Sequence, residues 1–128
     1  MDVRLFLVED LWSMRTLIED ACTAIGDLRI VANEGTEAEA RLWLRSNVGG
    51  WEIAVIDLVL EQGSGLGVVS ECVLCPGRGR IAVFSSYASP GIKTHCLGLG
   101  ADAVFDKSDT EAFLQWLDEH RRRAQAGA

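Results

Sequence analysis

Five short apolar runs recur along the chain: VRLFLV (3–8), LRIVAN (28–33), EIAVID (52–57), RIAVF (80–84) and AVFD (103–106). None of them alternates apolar with polar residues. A strand that shows one face to water alternates with a period of two, so a run that is apolar throughout must be covered on both faces. Between the runs lie stretches with helical spacing. Leu11, Met14, Leu17, Ile18, Ala21 and Ile25 fall on one stripe, and Gly26 closes it. Thr36 with Glu39 gives a capping box for a helix reaching to about Asn47. A shorter helix is expected near 66–75. Ser89 and Pro90 open a fourth, with Ile92, Cys96 and Leu99 as its apolar stripe. Ser108 with Glu111 is expected to cap the last, which turns Phe113, Trp116 and Leu117 inward. Strands alternating with helices, and buried on both faces, define a doubly wound α/β parallel sheet. With no linker, internal repeat or low-complexity segment, 1–128 is one domain.

In such sheets ligands bind beyond the carboxyl ends of the strands, at a topological switch point. Glu9 and Asp10 follow the first strand, Asp57 ends the third, Ser85 and Ser86 follow the fourth, and Lys107 follows the fifth. Three carboxylates gathered on one rim repel one another unless a cation offsets them. Oxygen-only donors favour a hard ion, and Mg²⁺ suits two carboxylates, a carbonyl and waters. Lys107 adds a fixed charge able to neutralise a carboxylate or an incoming phosphoryl group. The set describes a magnesium-assisted phosphoryl-transfer site with an aspartate as nucleophile.

Other chemistries fit less well. A net charge of −7 opposes direct nucleic-acid binding. The one basic cluster, HRRR (120–123), complements the dipole at the end of the last helix. No apolar run approaches the roughly 18–20 residues that span a bilayer, and the N-terminus lacks a signal-peptide profile, so a cytoplasmic protein without a membrane partner is expected. Cys72 and Cys75 form a C-x-x-C near a helix end rather than at a helix start, and the adjacent His95 and Cys96 point too far apart to complete a zinc site. Cys22, Cys72, Cys75 and Cys96 are therefore read as free thiols. The loop GSGLG (63–67) has neither P-loop nor dinucleotide-binding spacing and is read as a flexible turn. Trp43 and Trp51 are read first as packing residues, with surface contact as the alternative.

The segments LVED, AVIDLVLEQGSGLGVV, IAVFSSYAS and LGADAVFDKS occur in an order and spacing that resembles the receiver domain of two-component response regulators, of the single-domain chemotaxis-regulator type. The resemblance covers essentially the whole chain. It implies a flavodoxin-like (βα)5 sheet with strand order 2-1-3-4-5. It also implies that Asp57 accepts a phosphoryl group from a sensor histidine kinase or phosphotransfer protein. Asp10, Asp57 and the Val59 carbonyl would bind Mg²⁺ directly, with Glu9 acting through water as the outer, more replaceable acid. Ser85 and Lys107 would contact the phosphoryl oxygens, while Val59 and Tyr87 would set the phosphoryl lifetime. Such a domain is a switch and not an enzyme acting on a separate substrate. Without an attached output domain it would signal through a protein contact on the fourth helix, fifth strand and fifth helix, as a monomer or a phosphorylation-dependent dimer.

Two other classes share parts of this pattern. A haloacid-dehalogenase-type phosphatase needs a D-x-D, but Leu58-Val59-Leu60 follows Asp57; a flavodoxin would not carry EDLW after its first strand. The chain also departs from the commonest receiver at four positions. Ser108 replaces the proline after the lysine, which predicts a trans bond, and Glu61 stands where proline often follows the phosphoacceptor. Val104 replaces the switch aromatic, and alternation aims Phe105 at the opposite face. Tyr87 is bulky enough to shield a phosphoryl group, so slow self-hydrolysis is expected.

Overall fold

The computed structural model describes residues 2–126. Its strands are β1 (Val3–Val8), β2 (Leu28–Glu34), β3 (Ile53–Ile56), β4 (Arg80–Ser85) and β5 (Ala103–Asp106). The helices between and after them are α1 (Trp12–Ile25), α2 (Glu37–Ser46), α3 (Gly65–Leu74), α4 (Pro90–Leu99) and α5 (Thr110–Ala126). The sheet order is β2-β1-β3-β4-β5 with every pair parallel, the flavodoxin-like arrangement expected. The chain moves outward from β1 to β2, then crosses back to β3. The switch point therefore lies between the ends of β1 and β3.

Burial on both faces follows from side-chain alternation. Phe6, Val8, Ala54, Ile56, Ile81 and Val83 point to one side and meet Ala40 and Leu44 of α2, Val68, Val69 and Cys72 of α3, and Cys96 of α4. Leu5, Leu7, Ile53, Val55 and Phe84 point to the other, against Ile18 and Cys22 of α1 and Phe113 and Leu117 of α5. Alternation also separates Val104 from Phe105 as expected. Val104 packs with the α2–α4 side, whereas Phe105 lies edge-on to Phe113 and Trp116. The four cysteines are free. Burial pushes the Cys22 thiol up to about 11 and Cys72 higher still, so both stay protonated and inert.

Most helix starts agree with their sequence signals. Thr36 accepts the Glu39 N–H at 3.2 Å, and Ser89 accepts the Ile92 N–H at 3.3 Å with Pro90 at the first position. The start of α5 differs. Ser108 does not cap it, because its hydroxyl and N–H both turn back to Asp106 Oδ1, at 2.7 and 2.9 Å. An aspartate two residues upstream offers a local turn that competes with the capping role. Asp109 takes the cap position instead and accepts the Ala112 N–H at 3.4 Å. Asp109→Ala should therefore cost about 1 kcal/mol in urea denaturation and Ser108→Ala distinctly less. The expected trans bond at Ser108 is present, since no peptide bond among the described residues is cis.

The tryptophans sort cleanly. Trp51 is buried, and Trp43 stacks on Phe6 with ring centroids 4.3 Å apart, so both serve packing. The surface tryptophan is Trp12, 76% exposed at the start of α1.

Candidate functional site

Three backbone bonds extend the sheet ladder one residue past the strands. Glu9 N–H donates to the Glu34 carbonyl (3.1 Å), Asp57 N–H to the Val8 carbonyl (2.9 Å), and Lys107 N–H to the Ser85 carbonyl (3.1 Å). The polar residues that follow the apolar runs are thereby held in the register of the strands.

Their side chains converge. Lys107 Nζ lies 3.0 Å from Glu9 Oε2 and 3.1 Å from Asp57 Oδ2. One carboxylate oxygen from each of Glu9, Asp10 and Asp57 falls within 4.8 Å of the others. Glu9 is 1% exposed and Asp57 4%, so water solvates neither charge well. Burial raises the pKa of Glu9, and the Leu11 N–H and the Lys107 ammonium offset that only in part. Burial works against the charge of Lys107 too, but the bond to Glu9 and the field of Asp57 outweigh it and hold its pKa above the ordinary value. The Lys107 shift reflects the carboxylates gathered around it, and the Glu9 shift chiefly its burial.

Above the carboxylates opens a cavity of about 280 Å³, lined by Asp10, Asp57, Ser85 and Lys107, with Val59 and Tyr87 in its wall. Ser85 is fully buried and its oxygen accepts the Tyr87 N–H at 3.2 Å, which leaves its hydroxyl proton free to donate. Asp57 Oδ1 accepts the Val59 N–H at 3.3 Å. Val59 and Tyr87 are 50% and 65% exposed, on the rim rather than the floor.

The two adjacent acids differ in burial. Glu9 is the innermost carboxylate: it bridges to Lys107 and accepts the Leu11 N–H at 3.0 Å, at the positive end of α1. Asp10 is the more open acid, and its Oδ2 accepts the Glu61 N–H at 2.6 Å. That bond ties the loop after β3 to the site, and it exists because residue 61 is not a proline and has an N–H to give. The sequence also conceals why Gly65 is a glycine. A Cβ there would collide with the carbonyl of Asp57 and the Cα of Leu58, so this residue of the GSGLG loop lets α3 pack against the backbone of the site. Leu11, placed on the apolar stripe by spacing, is instead 54% exposed and lines the acidic cavity.

No family model matches the chain, and no curated protein does. Solved structures do match along nearly all of it. A signal receiver domain from Vibrio parahaemolyticus is 18% identical with a TM-score of 0.83, covering 99% of this chain and 95% of its own. The response regulator domain of Thermotoga maritima CheB is 19% identical with a TM-score of 0.80, covering 97% and 96%. The receiver domain of a sensor histidine kinase from Pseudomonas aeruginosa, whose structure has a magnesium ion coordinated in the active site cleft, is 20% identical with a TM-score of 0.76, covering 94% and 98%. At such identities the likeness is one of fold. The chain has the fold of response regulator receiver domains.

Proposed function

We propose that this chain is the phosphoryl-accepting receiver of a two-component or phosphorelay system, with Asp57 as the acceptor. The observation that carries the reading is Asp57 itself. It is a nearly buried carboxylate with one oxygen on Lys107, set beside Glu9 and Asp10 in a cavity that also presents Ser85.

The donor set fits magnesium: it is all oxygen, and three carboxylates face one ammonium. Asp10, Asp57 and the Val59 carbonyl would hold the ion, with Glu9 reaching it through water. When bound, Mg²⁺ supplies the positive charge the cluster lacks, both for the carboxylates and for incoming phosphoryl oxygens. The magnesium in the cleft of the similar Pseudomonas aeruginosa receiver supports this assignment.

The chain's own groups have distinct tasks. A carboxylate oxygen of Asp57 bonds to phosphorus as the bond from phosphorus to the histidine of the kinase or phosphotransfer protein breaks, leaving its electrons on that histidine. Lys107 pairs with a phosphoryl oxygen, and the Ser85 hydroxyl donates to another. The new charge draws Ser85 and the segment after β4 inward and biases a surface formed by α4, β5 and α5, where a downstream protein binds. With Val104 in place of an aromatic, that coupling runs without a moving ring. The chain acts in the cytoplasm as a signalling switch, and the only chemistry it promotes is on its own Asp57.

Incubation with a small-molecule phosphodonor and Mg²⁺ should add the mass of one phosphoryl group, and EDTA should prevent it. A wild-type protein that gains no such mass under either condition would instead be a docking module. Tyr87 stands over the cavity mouth, so Tyr87→Ala should shorten the phosphoryl lifetime several-fold when decay is followed by intact mass. An unchanged lifetime would remove Tyr87 from the list of shielding groups.

A further inference from the structure

At the pole of the sheet opposite the acidic site, the leading ends of β1, β3 and β4 meet the last turns of α5 around a cleft of about 600 Å³. Its walls hold four of the chain's 12 lysines and arginines: Arg4 on β1, Arg78 just before β4, Arg80 opening β4, and Arg123 on α5. In a chain of net charge −7, a convergence of guanidinium groups from separate elements runs against the overall field. Their carboxylate partners do not balance them. Asp102 is shared by Arg78 and Arg80, at 3.2 and 3.4 Å, while Arg4 pairs with Glu52 at 2.8 Å and Arg123 with Glu119 at 2.6 Å. Four guanidinium groups thus meet three carboxylates, and each guanidinium has five N–H donors. The side chains of Arg80 and Arg123 are 60% and 63% exposed, so their remaining donors are open to a ligand. His120 also lines the cleft, its Nδ1 lying 3.0 Å from the Trp116 carbonyl.

We propose that this cleft binds a small soluble molecule carrying two or more linked phosphates, of the size of a nucleoside polyphosphate. Guanidinium forks match phosphate oxygens two at a time, and arginines spread around a cleft suit several phosphates better than one. The volume lies in the range of small-molecule pockets, roughly 300–1,000 Å³. The C-terminal end of α5 contributes about half a unit of negative charge here, less than the one unit by which four guanidinium groups exceed their three carboxylates. A nucleic-acid strand is disfavoured, because the basic surface is confined to one cleft of an acidic protein.

The site can be tested by two-dimensional amide NMR of the full chain, titrated with sodium pyrophosphate and with ATP in EDTA so that no metal engages the acidic site. Saturable shifts are expected at Gly49, Gly77, Gly79 and Arg80, with orthophosphate binding more weakly. Arg80→Glu and Arg123→Glu, each still giving a dispersed folded spectrum, should weaken pyrophosphate about tenfold through loss of a charge-assisted bond. Asp57→Asn should bind as wild type does. The proposal is overturned by an absence of saturable shifts or by shifts confined to Asp10, Asp57 and Ser85. It is equally overturned by orthophosphate binding as tightly as pyrophosphate, or by both charge-reversed variants retaining wild-type affinity.

Discussion

In magnesium-free buffer at neutral pH, Lys107→Ala should lower unfolding stability by about 3 kcal/mol, near the low end of the cost of breaking a buried ion pair. Lys107 Nζ is the cation within hydrogen-bonding distance of both Glu9 and Asp57, and those carboxylates stay buried when it is removed. Their means of relief are protonation and metal, which gives the prediction two further signatures. The folded pKa of Glu9 already lies above its ordinary value, chiefly because of burial. An acid of that kind costs stability above its folded pKa, and the cost disappears as pH falls to its unfolded pKa. The deficit of Lys107→Ala should therefore shrink as pH falls through that window. Millimolar Mg²⁺ should also restore more stability to the variant than it adds to wild type, because binding to the folded state alone stabilises it. Urea denaturation at two pH values, with and without MgCl₂, reads all three effects. A variant as stable as wild type without metal would show that the three-carboxylate cluster does not need its lysine.

The strands were legible because burial on both faces imposes apolar runs with sharp polar ends. Their limits in the structure fall within about two residues of the sequence expectation. The gathering of Glu9, Asp10, Asp57, Ser85 and Lys107 followed from the rule that parallel strands deliver what lies after them to one edge. Which of two adjacent acids turns inward was not legible. It depends on the bond from Glu9 N–H to Glu34 and on the entry of α1, which puts the Leu11 N–H on Glu9 and leaves Asp10 to the loop after β3. The cap of α5 was misread for a related reason. A capping box considers Ser108 and Glu111 alone, whereas Asp106 had first claim on the serine. Gly65 looked like one glycine of a flexible turn, and only the approach of α3 to the Asp57 carbonyl gives it a structural reason. Contacts between elements decide such details, and periodicity carries no information about them.

The role of Asp57 leads to the other large effect. Asp57→Asn keeps the size of the side chain and the Lys107 contact to Glu9, and it removes one charge from a cluster with an excess of negative charge. The variant should therefore fold with stability equal to or above wild type in metal-free buffer, while losing the nucleophilic oxygen altogether. Asp10→Asn, at the more open acid, should weaken Mg²⁺ binding and slow phosphorylation without abolishing it. Intact mass spectrometry of wild type and Asp57→Asn, after exposure to a phosphodonor with Mg²⁺, separates these outcomes. Wild type is expected to gain one phosphoryl group and Asp57→Asn none. An Asp57→Asn protein that gains the same mass at the same rate would place the acceptor elsewhere and contradict the account.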